Sequence, residues 1–159
     1  MALYMKYGSI NGEVKTKGFE GWIELHSVQW GVGRGISSGA GGQSKREASV
    51  PSVSEVTVTK TMDNSTPELL KEALGGKLST KVEIALTRTD QGGKHVAFQT
   101  YTLADSGISG YSVSAGGDHP TESISLNFVK VESKHVSLDS AMQSKSKQFS
   151  YDVPTATLS

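Results

Sequence analysis

The stretch that most constrains the fold is residues 54–76, SEVTVTKTMDNSTPELLKEALGG. In its first part Val56 and Val58 alternate with polar residues, a period of two that predicts a strand with one face on a core. Its second part has leucines and alanine at helical spacing, which predicts a helix that begins near Pro67 and ends near Leu74. A helix this short is unstable alone, so it must pack its apolar stripe against a sheet.

Both ends of this helix carry recognisable signals. Ser65 and Glu68 fit the S-x-x-E pattern, which predicts a capping box between the serine side chain and the first turn. Gly75 and Gly76 follow the last leucine and predict a left-handed residue at the C-terminus. The helix is thus expected to be capped at both ends by residues of its own segment.

Alternation of apolar and polar side chains recurs along the rest of the chain. It predicts strands over residues 2–7, 22–30, 81–89, 96–103, 108–114, 121–132 and 149–153. The third and fourth of these flank a turn and form the best hairpin signal. Many strands with one short helix predict an all-β fold, a barrel or sandwich of two sheets with the helix on its flank. Several strands carry serine, threonine and asparagine on their second face, which suits a sheet exposed to a water-filled space or to a partner's backbone.

A glycine-rich segment, residues 31–49, lacks apolar periodicity. A segment of this length inside a compact domain is usually a functional loop or a disordered one. It is either a flexible exposed loop or a loop that becomes ordered on a partner, to which its charged residues would offer contacts. These residues are Arg34, Lys45, Arg46 and Glu47. With no other break in the pattern, the chain is expected to be one domain over residues 1–159 with this segment as an extended loop.

Composition excludes several classes of partner and chemistry. Sixteen basic and sixteen acidic residues balance, so no global field attracts nucleic acid or an anionic membrane. The chain has no cysteine and therefore no disulfide framework or thiolate chemistry. No window approaches the ~18 apolar residues of a membrane span, and the N-terminus does not resemble a secretory signal. We expect a soluble protein that, if exported, uses a route independent of such a signal.

The sequence contains no recognisable active site. Four histidines lie far apart without the spacing of metal ligands: His26, His95, His119 and His135. Neither a G-x-S-x-G nucleophile motif nor a phosphate-binding P-loop is present. We expect no catalytic residue, no metal and no cofactor. Trp22 and Trp30 could instead line a pocket, so a monomeric ligand-binding β-barrel is the alternative function.

The phrases VTKTMDNSTPEL and PTESISLNF, together with NGE at residues 11–13 and VQWG at residues 28–31, resemble the Hcp family. These haemolysin-coregulated proteins form the tube of bacterial type VI secretion systems, and the resemblance runs over roughly residues 2–132. It implies a two-sheet barrel with a flanking helix, six copies closing into a ring, and rings stacking into a tube. A contractile sheath would surround the tube, a trimeric spike protein would cap it, and small effector proteins would travel in its lumen.

The resemblance also implies roles for particular residues. The extended loop would reach a neighbouring subunit or the next ring through Arg34, Lys45, Arg46 and Glu47. A turn facing the lumen would contact effectors through Ser114, Gly116 and Gly117. Such a protein is not an enzyme, binds no nucleic acid and does not insert into a membrane. It would assemble in the bacterial cytoplasm and then be secreted outside the cell or into a target cell.

Overall fold

A computed structural model describes residues 1–38, 46–138 and 144–159. The elements in chain order are β1 (Ala2–Tyr7), β2 (Ile23–Leu25), β3 (Ser27–Gln29), β4 (Val32–Gly33), β5 (Ile36–Ser37), β6 (Glu47–Ala48), β7 (Ser52–Val53), β8 (Val56–Thr61), α1 (Thr66–Gly75), β9 (Thr80–Thr89), β10 (His95–Ser114), β11 (Thr121–Asn127), β12 (Lys130–Leu138), β13 (Ser144–Asp152) and β14 (Thr157–Leu158). In these ranges no helix has the length and apolar character needed to cross a membrane.

Two antiparallel sheets share the long strand β10. Sheet A has the order β2-β1-β9-β10-β12-β13-β14, and sheet B has the order β10-β11-β8-β3. The first half of β10 pairs with β9 and β12, and its second half pairs with β11. Between the halves, Asp105 has a positive φ of 49°, and the register with β9 shifts between Leu103 and Ser106. This left-handed residue redirects the strand from one sheet to the other.

The predicted all-β fold with one short helix is confirmed, and a sandwich describes it better than a closed barrel. Among the described strands, β2 pairs only with β1 and β3 only with β8, and His26 separates them. The single strand predicted over residues 22–30 is therefore two strands. Residues 121–132 are also two strands, since the chain leaves sheet B after Asn127 and enters sheet A at Lys130. The hairpin of β9 and β10 is confirmed.

The core lies between the two sheets, where the predicted alternation places the apolar faces. Val58 and Ile124 are cross-strand partners in sheet B, and Met5 and Ile84 are partners in sheet A. All four have 0% of their surface exposed. The β-branched residues Val58, Ile84 and Ile124 suit a pleated sheet that buries one face, so this part of the fold follows directly from the local pattern.

Helix α1 forms at the predicted position, but both predicted caps are wrong. Ser65 is already in a helical conformation, with φ −78° and ψ −16°, and makes no side-chain cap bond. Its hydroxyl donates instead to the carboxylate of Asp63, because an Asx-type turn precedes the helix. Gly76 is extended, with φ −74° and ψ 169°, and its N–H donates to the carbonyl of Glu72.

The predicted apolar stripe of α1 packs only in part. Leu69 is fully buried, whereas Leu70 is 38% exposed and Leu74 is 82% exposed. The helix touches the body along one line of side chains, and its main packing partner is β10. The two outer leucines therefore remain on the surface.

The described part of the glycine-rich segment has regular backbone pairing, which its lack of apolar periodicity did not indicate. It forms a two-stranded ribbon in which β4 pairs with β7 and β5 pairs with β6. Side-chain hydroxyls support both ladders, since Ser54 Oγ accepts from Gly31 N–H at 2.8 Å and Ser49 Oγ accepts from Gly35 N–H at 2.9 Å. Each of these bonds joins residues that are far apart in the sequence. Apolar periodicity within one segment cannot reveal such a pairing.

Candidate assembly and cargo surfaces

The outer face of sheet B is lined by small uncharged polar side chains. Ser27, Thr59, Ser123 and Ser112 form one row across all its strands, because each is the direct cross-strand partner of the next. The neighbouring rows follow the same rule. The face comprises Ser27, Gln29, Thr57, Thr59, Thr61, Gly110, Ser112, Ser114, Thr121, Ser123 and Ser125, and it is called the hydroxyl face below.

The hydroxyl face can exchange hydrogen bonds but carries no charge at these positions. Ser27 Oγ and Thr59 Oγ1 are 2.6 Å apart, and His26 Nε2 lies 2.6 Å from Thr61 Oγ1 at one border. At another border Glu55 precedes β8, and its Oε2 accepts a hydrogen bond from Ser109 Oγ at 2.5 Å. Hydroxyls of this kind bond water and protein groups with similar energy, so the surface favours neither charge sign.

The structure brings one predicted lumen residue onto this face and places the other two beside it. Ser114 is the last residue of β10 and lies opposite Thr121 in the register. Gly116 and Gly117 are in the exposed turn that follows. A Cβ atom added to either glycine would meet no atom within 4 Å, so the turn borders open space.

A buried ion pair that the sequence pattern did not predict lies directly beneath the hydroxyl face. Lys60 and Glu122 are cross-strand partners whose side chains are 0% exposed. Lys60 Nζ lies 2.5 Å from Glu122 Oε2 and 3.0 Å from Asp63 Oδ1. The sequence does contain a signal for this pair. Lys60 follows Val56 and Val58 at the same two-residue interval, so its side chain is expected on the inward face of the strand.

Neighbouring hydroxyls complete this network and attach the helix to it. Thr66 Oγ1 donates to Glu122 Oε2 at 3.0 Å, and the Tyr111 hydroxyl donates to Glu122 Oε1 at 2.5 Å. Burial, with the Glu122 hydrogen bond next, raises the pKa of Tyr111 to about 12. The phenol therefore remains a donor at neutral pH. Because Thr66 begins α1, the network fixes the start of the helix to both central strands of sheet B.

Three of the four loop residues that were predicted to contact a neighbouring subunit lie on the ribbon. Arg34 lies between β4 and β5, Arg46 immediately precedes β6, and Glu47 is in β6; all three are exposed. Lys45 lies outside the described residues. The backbone carbonyl of Glu47 accepts a hydrogen bond from Ser37 Oγ at 3.3 Å. The backbone that carries the Glu47 carboxylate is therefore held in the ribbon.

An apolar groove of about 410 Å³ runs between the base of the ribbon and the last strands of sheet A. Its lining residues are Trp30, Val32, Arg34, Pro51, Val53, Val131, Phe149, Tyr151, Ala156 and Leu158. Val32 is 60% exposed and Leu158 is 70% exposed. Contiguous exposed apolar surface of this kind is typical of an interaction site.

The two tryptophans do not share a pocket. Trp30 lines the apolar groove and packs edge-to-face on Tyr101, with ring centroids 5.4 Å apart. Trp22 belongs to a separate cluster, where its ring lies 5.2 Å from that of Phe19. The structure thus removes the shared pocket on which the ligand-binding alternative depended.

Among the described residues, no group of three His, Asp or Glu side chains could hold a metal ion.

Comparison with known proteins places this arrangement in a family. The family model described as "Type VI secretion system effector, Hcp" matches residues 4–135. No curated protein sequence matches the chain. A solved type six secretion system protein has 22% sequence identity and a TM-score of 0.86, with 99% of each chain covered.

Two further solved structures share the fold. Hcp1 from Salmonella typhimurium has 18% identity and a TM-score of 0.77 with both chains fully covered. A type VI secretion system effector from Yersinia pestis has 20% identity and a TM-score of 0.71, with 95% of this chain and 99% of that chain covered. From the family match over most of its length, the chain belongs to the Hcp family of type VI secretion systems.

Proposed function

We propose that the chain is a structural subunit of a type VI secretion tube. Six copies close into a ring, rings stack into a tube, and the tube carries small effector proteins in its lumen. The subunit works by assembly and not by catalysis. Family membership supports this function, and the observation on the molecule itself that carries it is the uncharged hydroxyl face of sheet B.

The hydroxyl face is the proposed wall of the lumen. A wall past which cargo must move has to be wet, rigid and only weakly adhesive. The backbone of sheet B is paired across four strands, and its outer side chains exchange hydrogen bonds with water at little net cost. Charged side chains would hold cargo of opposite sign more strongly. Ser114, Gly116 and Gly117 are the proposed effector contacts at one end of this wall.

The ribbon is the proposed contact between rings or neighbouring subunits. Arg34, Arg46 and Glu47 are exposed on it, and Lys45 is assigned the same role. Rings and stacks both need heterologous interfaces, in which two different patches of one subunit meet. Further proposed partners are the contractile sheath around the tube and the spike protein at its tip. Assembly takes place in the cytoplasm, and sheath contraction then delivers the tube outside the cell.

The solution mass tests this proposal directly. Light scattering on a sizing column should give about six times 16.9 kDa, or about 101 kDa, and negative-stain images of that peak should show rings with a central hole. A monomer of 16.9 kDa at high protein concentration would contradict the ring.

A further inference from the structure

Three leucines at and just after the helix leave much of their side chains exposed. Leu70 and Leu74 lie one turn apart on α1, and Leu78 follows three residues after the helix ends at Gly75. They are 38%, 82% and 74% exposed, respectively. This exposed apolar group is called the leucine ridge. Exposed large apolar side chains grouped in this way indicate a contact with another protein surface.

The ridge lies at the negatively polarised end of the helix. The last turn of α1 contains Leu74 but no basic residue, and Lys77 follows only after the helix has ended. The aligned peptide dipoles give a helix C-terminus roughly half a negative charge. A cation on the partner surface would therefore be favoured here, in addition to apolar contact.

The apolar groove carries the matching apolar and cationic side chains. Its lining is otherwise uncharged, and Arg34 is its one charged residue. Within the described part of the chain, Arg34 makes no ion pair or hydrogen bond. Its guanidinium is thus available to face the carbonyl end of a helix.

We propose that the leucine ridge of one copy packs into the apolar groove of the next copy, with Arg34 facing the C-terminus of α1. The occupant of the groove is a second copy of this chain. Ridge and groove share no residue, so one subunit can use both at once, which is the condition for a heterologous contact that closes a ring. The inference rests on the proposed ring and specifies the surfaces that form it.

The groove is not contained in the family-matched segment. That match ends at residue 135, whereas Phe149, Tyr151 and Leu158 form one wall of the groove. The contact therefore depends on strands β13 and β14 of this chain, and residues 4–135 alone would not reveal it.

Two one-sided variants test the contact. Leu74→Asp places a charge on the ridge, and Leu158→Asp places one in the groove; both positions are mostly exposed, so folding should be retained, as circular dichroism would verify. Each variant alone should lose rings and run as a monomer. Mixed in equal amounts, they retain one intact ridge and one intact groove and should form a dimer of about twice 16.9 kDa, near 34 kDa.

A second groove variant and a matched control keep the test decisive. Val32→Asp should behave as Leu158→Asp does, because Val32 lines the groove and is 60% exposed. Val96→Asp, at an exposed apolar position outside both surfaces, should leave rings intact. Arg34→Met should raise the concentration at which rings dissociate by about two- to fivefold, the equivalent of one helix-end charge.

The outcomes separate this inference from the proposed function. If wild-type protein forms rings and the one-sided variants still form them, the ridge and groove are not the interface, although the tube function stands. If the variants are monomeric but their mixture gives no dimer, the two surfaces do not pair and the inference is overturned. If wild-type protein forms no ring at all, the proposed function itself fails.

Discussion

At the scale of single residues, the buried pair of Lys60 and Glu122 is the most consequential departure from a simple apolar core. Replacing Lys60 by methionine leaves the carboxylates of Glu122 and Asp63 near one another without their cation. We expect Lys60→Met to lower the free energy of unfolding by about 3–5 kcal/mol, the usual cost of breaking a buried pair. Urea denaturation at neutral pH measures this loss.

A surface ion pair provides the matched control. Lys81 Nζ lies 2.6 Å from Glu83 Oε1, but the Lys81 side chain is 66% exposed. Lys81→Met should therefore lower stability by less than about 1 kcal/mol. Equal losses in the two variants would mean that burial of the Lys60 pair has no energetic consequence.

The raised pKa of Tyr111 predicts a pH dependence with a definite sign. The folded protein holds the phenol proton up to a pKa of about 12, whereas an unfolded chain releases it near pH ~10. The contribution of Tyr111 to stability is thus fully present below about pH 10 and is lost as pH rises towards 12. Thermal midpoints should fall more steeply over this interval in wild-type protein than in Tyr111→Phe. Parallel curves for the two proteins would contradict this assignment, because all other titrating groups are common to both.

At the scale of elements, the ribbon differs most from the core strands in its exposure to solvent. Its short ladders project from the body, and all of its described residues from 31 to 38 are exposed. Deletion of residues 39–42, between β5 and β6, should weaken stacking of rings more than closure of each ring. Sedimentation of assembled tubes, compared with the ring mass of the same sample, measures the two effects separately. Normal stacking in the deletion variant would remove the ribbon from the inter-ring contact.

At the scale of the whole molecule, the hydroxyl face predicts how cargo responds to a single bulky charge. Ser114→Arg adds a long cationic side chain at one end of this face, away from the core. Rings should remain intact, and retention of effector proteins co-purified with the ring should fall severalfold. Ser9→Arg, in an exposed turn after β1, is the control and should leave retention unchanged. Equal retention in both variants would remove Ser114 from the lumen.

Local patterns predicted much of the fold. The alternation of Val56 and Val58, and the same period around Ile84 and Ile124, identified core strands because side-chain direction depends only on the backbone period. The position of α1 followed from the helical spacing of its apolar residues and from Pro67, which favours the first turn of a helix. Of the candidate site residues, Ser114 lies at the edge of the hydroxyl face. Its position at a strand end could be predicted because the glycines that follow it signal a turn.

The sequence by itself determined most of the core strands, where helix α1 lies and, through the family resemblance, to which family the chain belongs. Only the tertiary structure decided that β10 bends at Asp105 to join both sheets, that Lys60 meets Glu122, and that β4 and β5 pair with β7 and β6 as a ribbon. It also decided that Leu74 remains exposed and that β13 and β14 complete the apolar groove. The physical reason is that these features depend on residues far apart in the chain, whose pairing is set by the packing of the whole sandwich, whereas periodicity reports only on the backbone within one segment.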